Sequence, residues 1–174
     1  MPEIVRLEPK EFADHVGDLA ALLAGTVGGG ASVGFLAPLD HGAAARWWEG
    51  LAPAVHEGHV IVWVAGDGER ITGTVQLRPS AVDNGRHRAE IAKLMVHGEA
   101  RGQGIARRLL AAAEEFAAAA GITLLILDTV TGSPAERLYT AAGWTPVGSV
   151  PGYAADPAGT LQPTTIFYKA IAAG

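Results

Sequence analysis

Apolar and polar positions change period several times along this 174-residue chain, and each change marks an element. Residues 3–8, EIVRLE, alternate as a short strand does. From Phe12 to about Leu23 apolar residues recur at helical spacing, and GTVGGGASVGF (25–35) reads as a glycine-rich loop. Asp40 is a good cap for a second helix through AAARWWEGLAPAV, whose end Pro53 limits or kinks. Residues 59–80 form two strand-like runs around an Asp67-Gly68 turn, and 82–97 repeat the device around Asn84-Gly85. Three successive antiparallel strands follow from that pattern. A helix then runs to about Ala120, followed by ITLLILDTV (122–130), the continuous apolar run of a buried strand. SPAERLYTAAG (133–143) predicts a short helix capped by Ser133, with Pro134 in its first turn and Glu136 completing a capping box. WTPVGSV and TTIFYKAI predict two closing strands. The order predicts one α/β (α+β) domain over residues 1–174. It has a mixed, mostly antiparallel central sheet of about seven strands, flanked by about four helices.

Composition narrows the chemistry. Hydrophobic residues make up 49% and charged residues 18%, as expected of a folded globular chain. The absence of cysteine excludes disulfides, cysteine-ligated zinc and an acyl-cysteine intermediate, and makes a reducing cytoplasm the expected setting. MPEIVRLEPKEF lacks the apolar core of a signal peptide, and no apolar segment approaches the roughly 20 residues that cross a bilayer. A net charge of −5 argues against a nucleic-acid partner. Six histidines are scattered, and His56 and His59 lack a third ligand, so no metal is expected.

The stretch VHGEARGQGIARRLL (96–110) places Gly102 and Gly104 where a helix begins, although glycine weakens helices. A strand, a glycine turn and a helix N-terminus make an anion site, because unpaired N–H groups and the positive end of the helix dipole face the ligand. Arg101, Arg107 and Arg108 add charge nearby. A loop that merely needs positive φ, followed by a solvated arginine face, explains the same residues equally well. Two other phosphate motifs fail. A P-loop needs Lys-Ser or Lys-Thr after its last glycine. The dinucleotide fingerprint has Gly102-x-Gly104 and Asp128 in suggestive places, but Arg107 occupies its third small position, five residues separate strand from glycine, and the strands upstream are antiparallel.

ARGQGIARRLL resembles the R/Q-x-x-G-x-G/A pattern of the GCN5-related N-acetyltransferases, with Arg101, Gly104 and Ala106 in the key places. RLYTAAGW (137–144) is similar to that family's tyrosine-bearing helix and following strand, and the element order resembles its fold. TVGGGASVGFLAPLD, AEIAKLMV, LDTVTGS and PGYAADPAGTLQPT resemble its tabtoxin-resistance-type members. The resemblance implies acetyl-CoA as co-substrate. Its pyrophosphate would sit on the amides of Arg101, Gly102, Gln103, Gly104, Ile105 and Ala106, beside Arg107. The strand backbone at Leu94, Met95 and Val96 would pair with the pantetheine arm, where strand 91–97 parts from strand 122–130. Ser133 would touch the cofactor.

The same resemblance implies acetyl transfer to a small-molecule amine, a toxin or antibiotic among the candidates, by direct attack in a ternary complex. Glu90 sits where the family often carries its general base; its alternative is an exposed glutamate paired with Arg86 or Arg88. Asp128 would share that duty or orient the amine, or else merely cap the loop 129–133. Tyr139 would protonate the leaving thiolate, or else be a half-buried helix aromatic. A backbone N–H near Leu94 or Met95 would meet the oxyanion. Ser32, Phe35, Tyr153 and one of the adjacent tryptophans, taken as Trp48, would line the acceptor pocket, leaving Trp47 to the core. A homodimer is compatible with the resemblance. The rivals are a non-catalytic acyl-CoA sensor and an enzyme acting on protein amines.

Overall fold

A computed structural model describes all residues, 1–174. Its seven-stranded sheet has the order β1-β2-β3-β4-β5-β7-β6. The strands are β1 (Glu3–Arg6), β2 (Ile61–Gly66), β3 (Ile71–Pro79), β4 (Arg88–Val96), β5 (Leu124–Val130), β6 (Thr145–Ala155) and β7 (Leu161–Ala170). Every neighbouring pair is antiparallel except β4 and β5. The expected mixed, mostly antiparallel sheet is therefore present.

The helices are α1 (Pro9–Asp14), α2 (Val16–Gly28), α3 (His41–Glu49), α4 (Ala52–His56), α5 (Ile105–Ala119) and α6 (Pro134–Ala141). The first two expected helices are each broken once. His15 separates α1 from α2, and Gly50–Leu51 separates α3 from α4, where Pro53 fits the first turn of a new helix. The glycine-rich segment also starts later than expected. Leu19, Leu22, Leu23, Thr26 and Val27 are all buried, so the apolar face carries α2 through Gly25 to Gly28. Asp40 caps α3 as expected, its Oδ1 accepting from the Ala43 N–H at 2.7 Å. Asn84-Gly85 is not a tight hairpin turn. It lies in a 3₁₀ turn within a longer connection, and Gly85 is buried there, where a Cβ would stand 2.6 Å from Arg88 Nη1 and 2.8 Å from Val82 Cγ2.

Two apolar layers sandwich the sheet. On one face α5 buries Ile105, Leu109, Leu110, Ala113 and Ala117 against Val75, Leu77, Ile91, Leu125 and Leu127. Each buried aliphatic side chain is worth about 1.5–3 kcal/mol. Gly73 on β3 lets the helix come this close: a Cβ there would stand 3.0 Å from both Ile105 Cγ2 and Leu109 Cδ1. The other face is covered by α1 to α4, with Phe12, Leu19, Leu23, Val27 and Trp48 at its centre. Trp48 is fully buried, its ring 6.2 Å from Phe12. It is therefore a core residue and not a pocket residue, which corrects the expectation that it contacts substrate. The i, i+4 spacing along its helix decides this, since Trp48 lies on the same face as buried Ala44.

Removing this side chain tests the assignment. Trp48→Ala is expected to lose about 3–5 kcal/mol of unfolding free energy in urea. An unchanged midpoint would contradict a core role.

Candidate functional site

The site begins where two strands part. β4 and β5 are hydrogen-bonded in parallel only through Arg88↔Leu124, Ala89↔Leu125 and Glu90↔Ile126. Beyond these, β4 continues to Val96 along β3, and β5 continues to Val130 along β7. The facing edges of residues 91–96 and 127–130 are left without each other as partners. A slot lined by backbone groups results, flanked by Leu94, Met95 and Val96 on one side, as the resemblance implied.

β4 carries a bulge inside this slot. Thr74 pairs with Met95 and Gln76 with Ala92, so Lys93 and Leu94 together oppose Val75. Lys93 has φ 53°, in the left-handed region that a lysine rarely adopts. Side-chain alternation shifts by one residue there. Ala89 and Ile91 face α5 before the bulge, and Leu94 and Val96 contact that same layer after it, whereas Met95 joins the opposite layer.

At the mouth of the slot, His97 leads through a 3₁₀ turn (Gly98–Ala100) to α5. Gly102 and Gly104 have φ 76° and 75°, and Gly104 is an N-cap without a side-chain cap. None of the N–H groups of Gly102, Gln103, Gly104, Ile105, Ala106 and Arg107 donates to an acceptor within the chain. Six consecutive free amides at a helix N-terminus are suited to an anion. The set is displaced by one residue from the expected Arg101–Ala106, because the Arg101 amide donates to Gly98 O at 3.3 Å. Arg101 Nε also donates to Val96 O at 3.3 Å, tying the turn to β4. Arg107 is exposed beside the turn. Arg108 turns away and donates to Pro2 O at 2.7 Å, so it contributes to tethering β1 and not to the anion site.

Glu90 stands at the last paired position, half-buried, and makes no ion pair with Arg86 or Arg88; Arg86 pairs with Asp83 instead at 3.1 Å. Asp128 does not cap the loop 129–133. Its Oδ2 accepts from Thr164 Oγ1 at 2.8 Å, which fixes the carboxylate at the C-terminal end of β5. Tyr139 lies on α6 with its ring buried against Trp144 and Phe167, both at 5.9 Å. Its hydroxyl has no hydrogen bond within the chain but is not sealed from solvent. Burial, reinforced by the Asp128 charge, pushes the Tyr139 phenol well above its ordinary pKa, so it stays protonated. Glu114 holds the end of α6 in place: Oε1 accepts from Trp144 Nε1 at 2.8 Å and Oε2 from Lys169 Nζ at 2.7 Å, while Lys169 also donates to Ala142 O at 2.9 Å.

Ser133 caps α6, its Oγ accepting from Glu136 N at 3.4 Å and lying 3.4 Å from Thr129 Oγ1. The capping box is displaced, because the Glu136 carboxylate accepts from Gly132 N and not from Ser133 N.

The acceptor side differs most from expectation. Phe35 lies edge-on to Trp47 at 5.2 Å, and Lys93 Nζ is 5.6 Å from the Trp47 ring and 5.9 Å from the Phe35 ring. Trp47, and not Trp48, is the tryptophan that lies against Phe35 and Lys93. The sequence pattern assigns Lys93 no role, although a lone lysine in the apolar run of AEIAKLMV is a signal. Ser32 is half-buried in the same loop. Tyr153 is 55% exposed on β6 and has no aromatic neighbour. The loop carrying Phe35 is fastened to the β6–β7 connection by Ala37 N, which donates to Pro157 O at 2.9 Å. No group of three or more His, Asp or Glu side chains is placed to hold a metal ion. No helix is long and apolar enough to cross a membrane.

Comparison with known proteins agrees with this arrangement. Residues 33–144, more than half of the chain, match the model of the acetyltransferase (GNAT) family. The rat (Rattus norvegicus) N-acetyltransferase 8B is 36% identical over 88 residues, 49% of this chain and 40% of that protein. The chain thus spans about two fifths of the length of the curated relatives it matches. Among solved structures, the ribosomal-protein-alanine N-acetyltransferase of Brucella melitensis superposes with a TM-score of 0.76 at 21% identity, covering 97% of this chain and 99% of that one. The yncA protein of Salmonella typhimurium, determined with its cofactor acetyl-CoA, gives 0.76 at 18% identity over 97% and 93%. Sheet order, the parted strands and the family match agree: the chain belongs to the GNAT family of acetyltransferases.

Proposed function

We propose that the protein transfers the acetyl group of acetyl-CoA to the amine of a small molecule by direct attack in a ternary complex. The observation that carries this reading is the run of six free amides, Gly102 to Arg107, at the mouth of the slot between β4 and β5. These residues fit the co-substrate: N–H groups and the helix dipole suit a diphosphate, and an unpaired β4 edge suits an arm that carries amides. Acetyl-CoA would supply the activated acyl group.

The proton traffic is assigned to this chain's own side chains. Glu90, together with Asp128, takes a proton from the attacking amine. Tyr139 gives its phenolic proton to the departing sulfur. Tyr139 belongs to the α5-side layer, whereas Glu90 and Lys93 face the α3 side. Proton acceptor and proton donor therefore flank the slot from opposite faces of the sheet. That separation suits a nucleophile entering from one side and a leaving group departing on the other.

The narrower reading, an amino-acid-like toxin or antibiotic of the tabtoxin-resistance type, rests on resemblance in the segments around 26–40 and 151–164. The Ala37–Pro157 hydrogen bond brings those two segments together and supports a shared acceptor-pocket role. Ser32, Phe35 and Tyr153 are proposed for its wall, joined by Trp47. Ser133 is proposed to touch the co-substrate through its hydroxyl. A cytoplasmic setting, supported by the absence of cysteine, and a homodimer complete the proposal.

Two measurements test it. A thiol-release assay across a panel of amines should show acetyl-CoA-dependent turnover on at least one small amine; transfer confined to protein amines, or binding of coenzyme A without any transfer, would overturn the small-molecule reading. Tyr139→Phe is expected to lower kcat by about 10²–10⁴ with little change in the KM for acetyl-CoA. Unaltered kcat would remove Tyr139 from the chemistry.

A further inference from the structure

The Lys93 ammonium is half-buried; it lies over the Trp47 and Phe35 rings but has no carboxylate partner. It donates no hydrogen bond within the chain, and no carboxylate lies within 4.0 Å of it; its half-buried counterpart Lys169, by contrast, is paired with Glu114. The bulge at Lys93–Leu94 turns it out of the ordinary strand alternation and onto the α3 side of the sheet. There the rings of Trp47 and Phe35 wall it at 5.6 and 5.9 Å, and a Cβ on Gly34 would come within 3.3 Å of Nζ. Three N–H donors thus lie against aromatic surface with no acceptor in the chain. Burial, with the nearby Arg78 charge, lowers the Lys93 pKa, while Glu90 and Asp128 counter that shift. The two rings offset part of the cost of desolvating this cation, and no anion of the chain offsets the rest. A bulge that holds a lysine at positive φ adds strain, and such features gather where a side chain must be aimed.

The charges around the slot are sorted. Carboxylates stand at its base, at Glu90 and Asp128; the Arg78 guanidinium, opposite Glu90 on β3, is taken up by Gln76 Oε1, and the Lys93 ammonium stands near them in an aromatic niche without an acceptor. An acceptor whose amine is held by the carboxylates and whose anionic group reaches the ammonium would satisfy both. We propose that Lys93 is a specificity-determining residue that takes the carboxylate of the acceptor, so that the preferred substrates are amino acids and their analogues carrying both an amine and a carboxylate. The inference rests on the acetyl transfer proposed above and names its acceptor class.

Matched pairs test it, each an amino acid and its decarboxylated amine, such as L-methionine with 3-(methylthio)propylamine and L-phenylalanine with phenethylamine. In turnover, the wild type should favour the carboxylated member by about tenfold or more in kcat/KM, and Lys93→Met should abolish that preference, whereas Lys93→Arg should retain part of it. Binding gives a second readout that needs no turnover. Quenching of tryptophan fluorescence, with Trp47 adjacent, should give a Kd about tenfold lower for N-acetyl-L-methionine than for N-acetyl-3-(methylthio)propylamine in the wild type, and equal values in Lys93→Met. A wild type without preference in both readouts overturns the proposal even if the variants fail to fold, as does a folded Lys93→Met that keeps the preference. Carboxylate-selective binding without transfer to any amine would sink the acetyl-transfer reading and leave the Lys93 assignment standing. Transfer without selectivity would do the reverse.

Discussion

The structure turns on a parallel strand pair that stops early. Every backbone N–H and C=O in a buried strand needs a partner, and β4 and β5 supply one another only as far as Glu90 and Ile126. Past that point β4 stays bonded to β3 and β5 to β7, so each strand remains anchored on its outer side while its inner edge is released. An open edge invites a further strand. Here it lies in the middle of a sheet, closed at its base by the paired residues, which suits an extended arm entering from the open end. Behind the slot the two halves are tied together: α5 packs on β3 through the close approach at Gly73, and Glu114 of α5 accepts from Trp144 and Lys169.

Placement of the chemical groups follows from that opening. The last paired residue, Glu90, marks the base of the slot, and Asp128 lies two residues past its partner Ile126 on β5, held by Thr164. The bulge at Lys93–Leu94, just after Ile91 and Ala92, reverses the facing of everything beyond it. Without it, Lys93 would continue the alternation of Ala89 and Ile91 into the α5 layer, where an ammonium has no counterpart. At the other end the chain leaves β4, is tied back by Arg101, and enters α5 through two glycines whose amides remain free. The helix dipole and the slot therefore point at the same space.

Much of this was readable in the residue pattern, and the failures have definite causes. The apolar run 122–130 and the alanine-rich helix after Gly104 are long periodic segments, and both elements formed where their periods put them. Asp40 and Ser133 were legible as caps because their chemistry is local. Breaks at His15 and Gly50 were not, since tertiary packing decides where a helix bends around a sheet. Asn84-Gly85 carries the signature of a tight turn, but Gly85 has no positive φ and sits buried in a 3₁₀ turn against Val82 and Arg88. Choosing between Trp47 and Trp48 needed the phase of α3 relative to the sheet, which adjacent residues do not reveal. The facing of Lys93 is not legible, because a bulge inserts one residue into a period of two and nothing in AEIAKLMV marks where that bulge falls.

The central claim is that the main chain of residues 102–107 grips a diphosphate at the mouth of the parted strands. Backbone-amide NMR during titration with coenzyme A measures it residue by residue. The account predicts that the amide resonances of Gly102 through Arg107 shift together with those of β4 between Ala92 and Val96. Coenzyme A that fails to bind, or that binds while those amides stay unmoved, would contradict it.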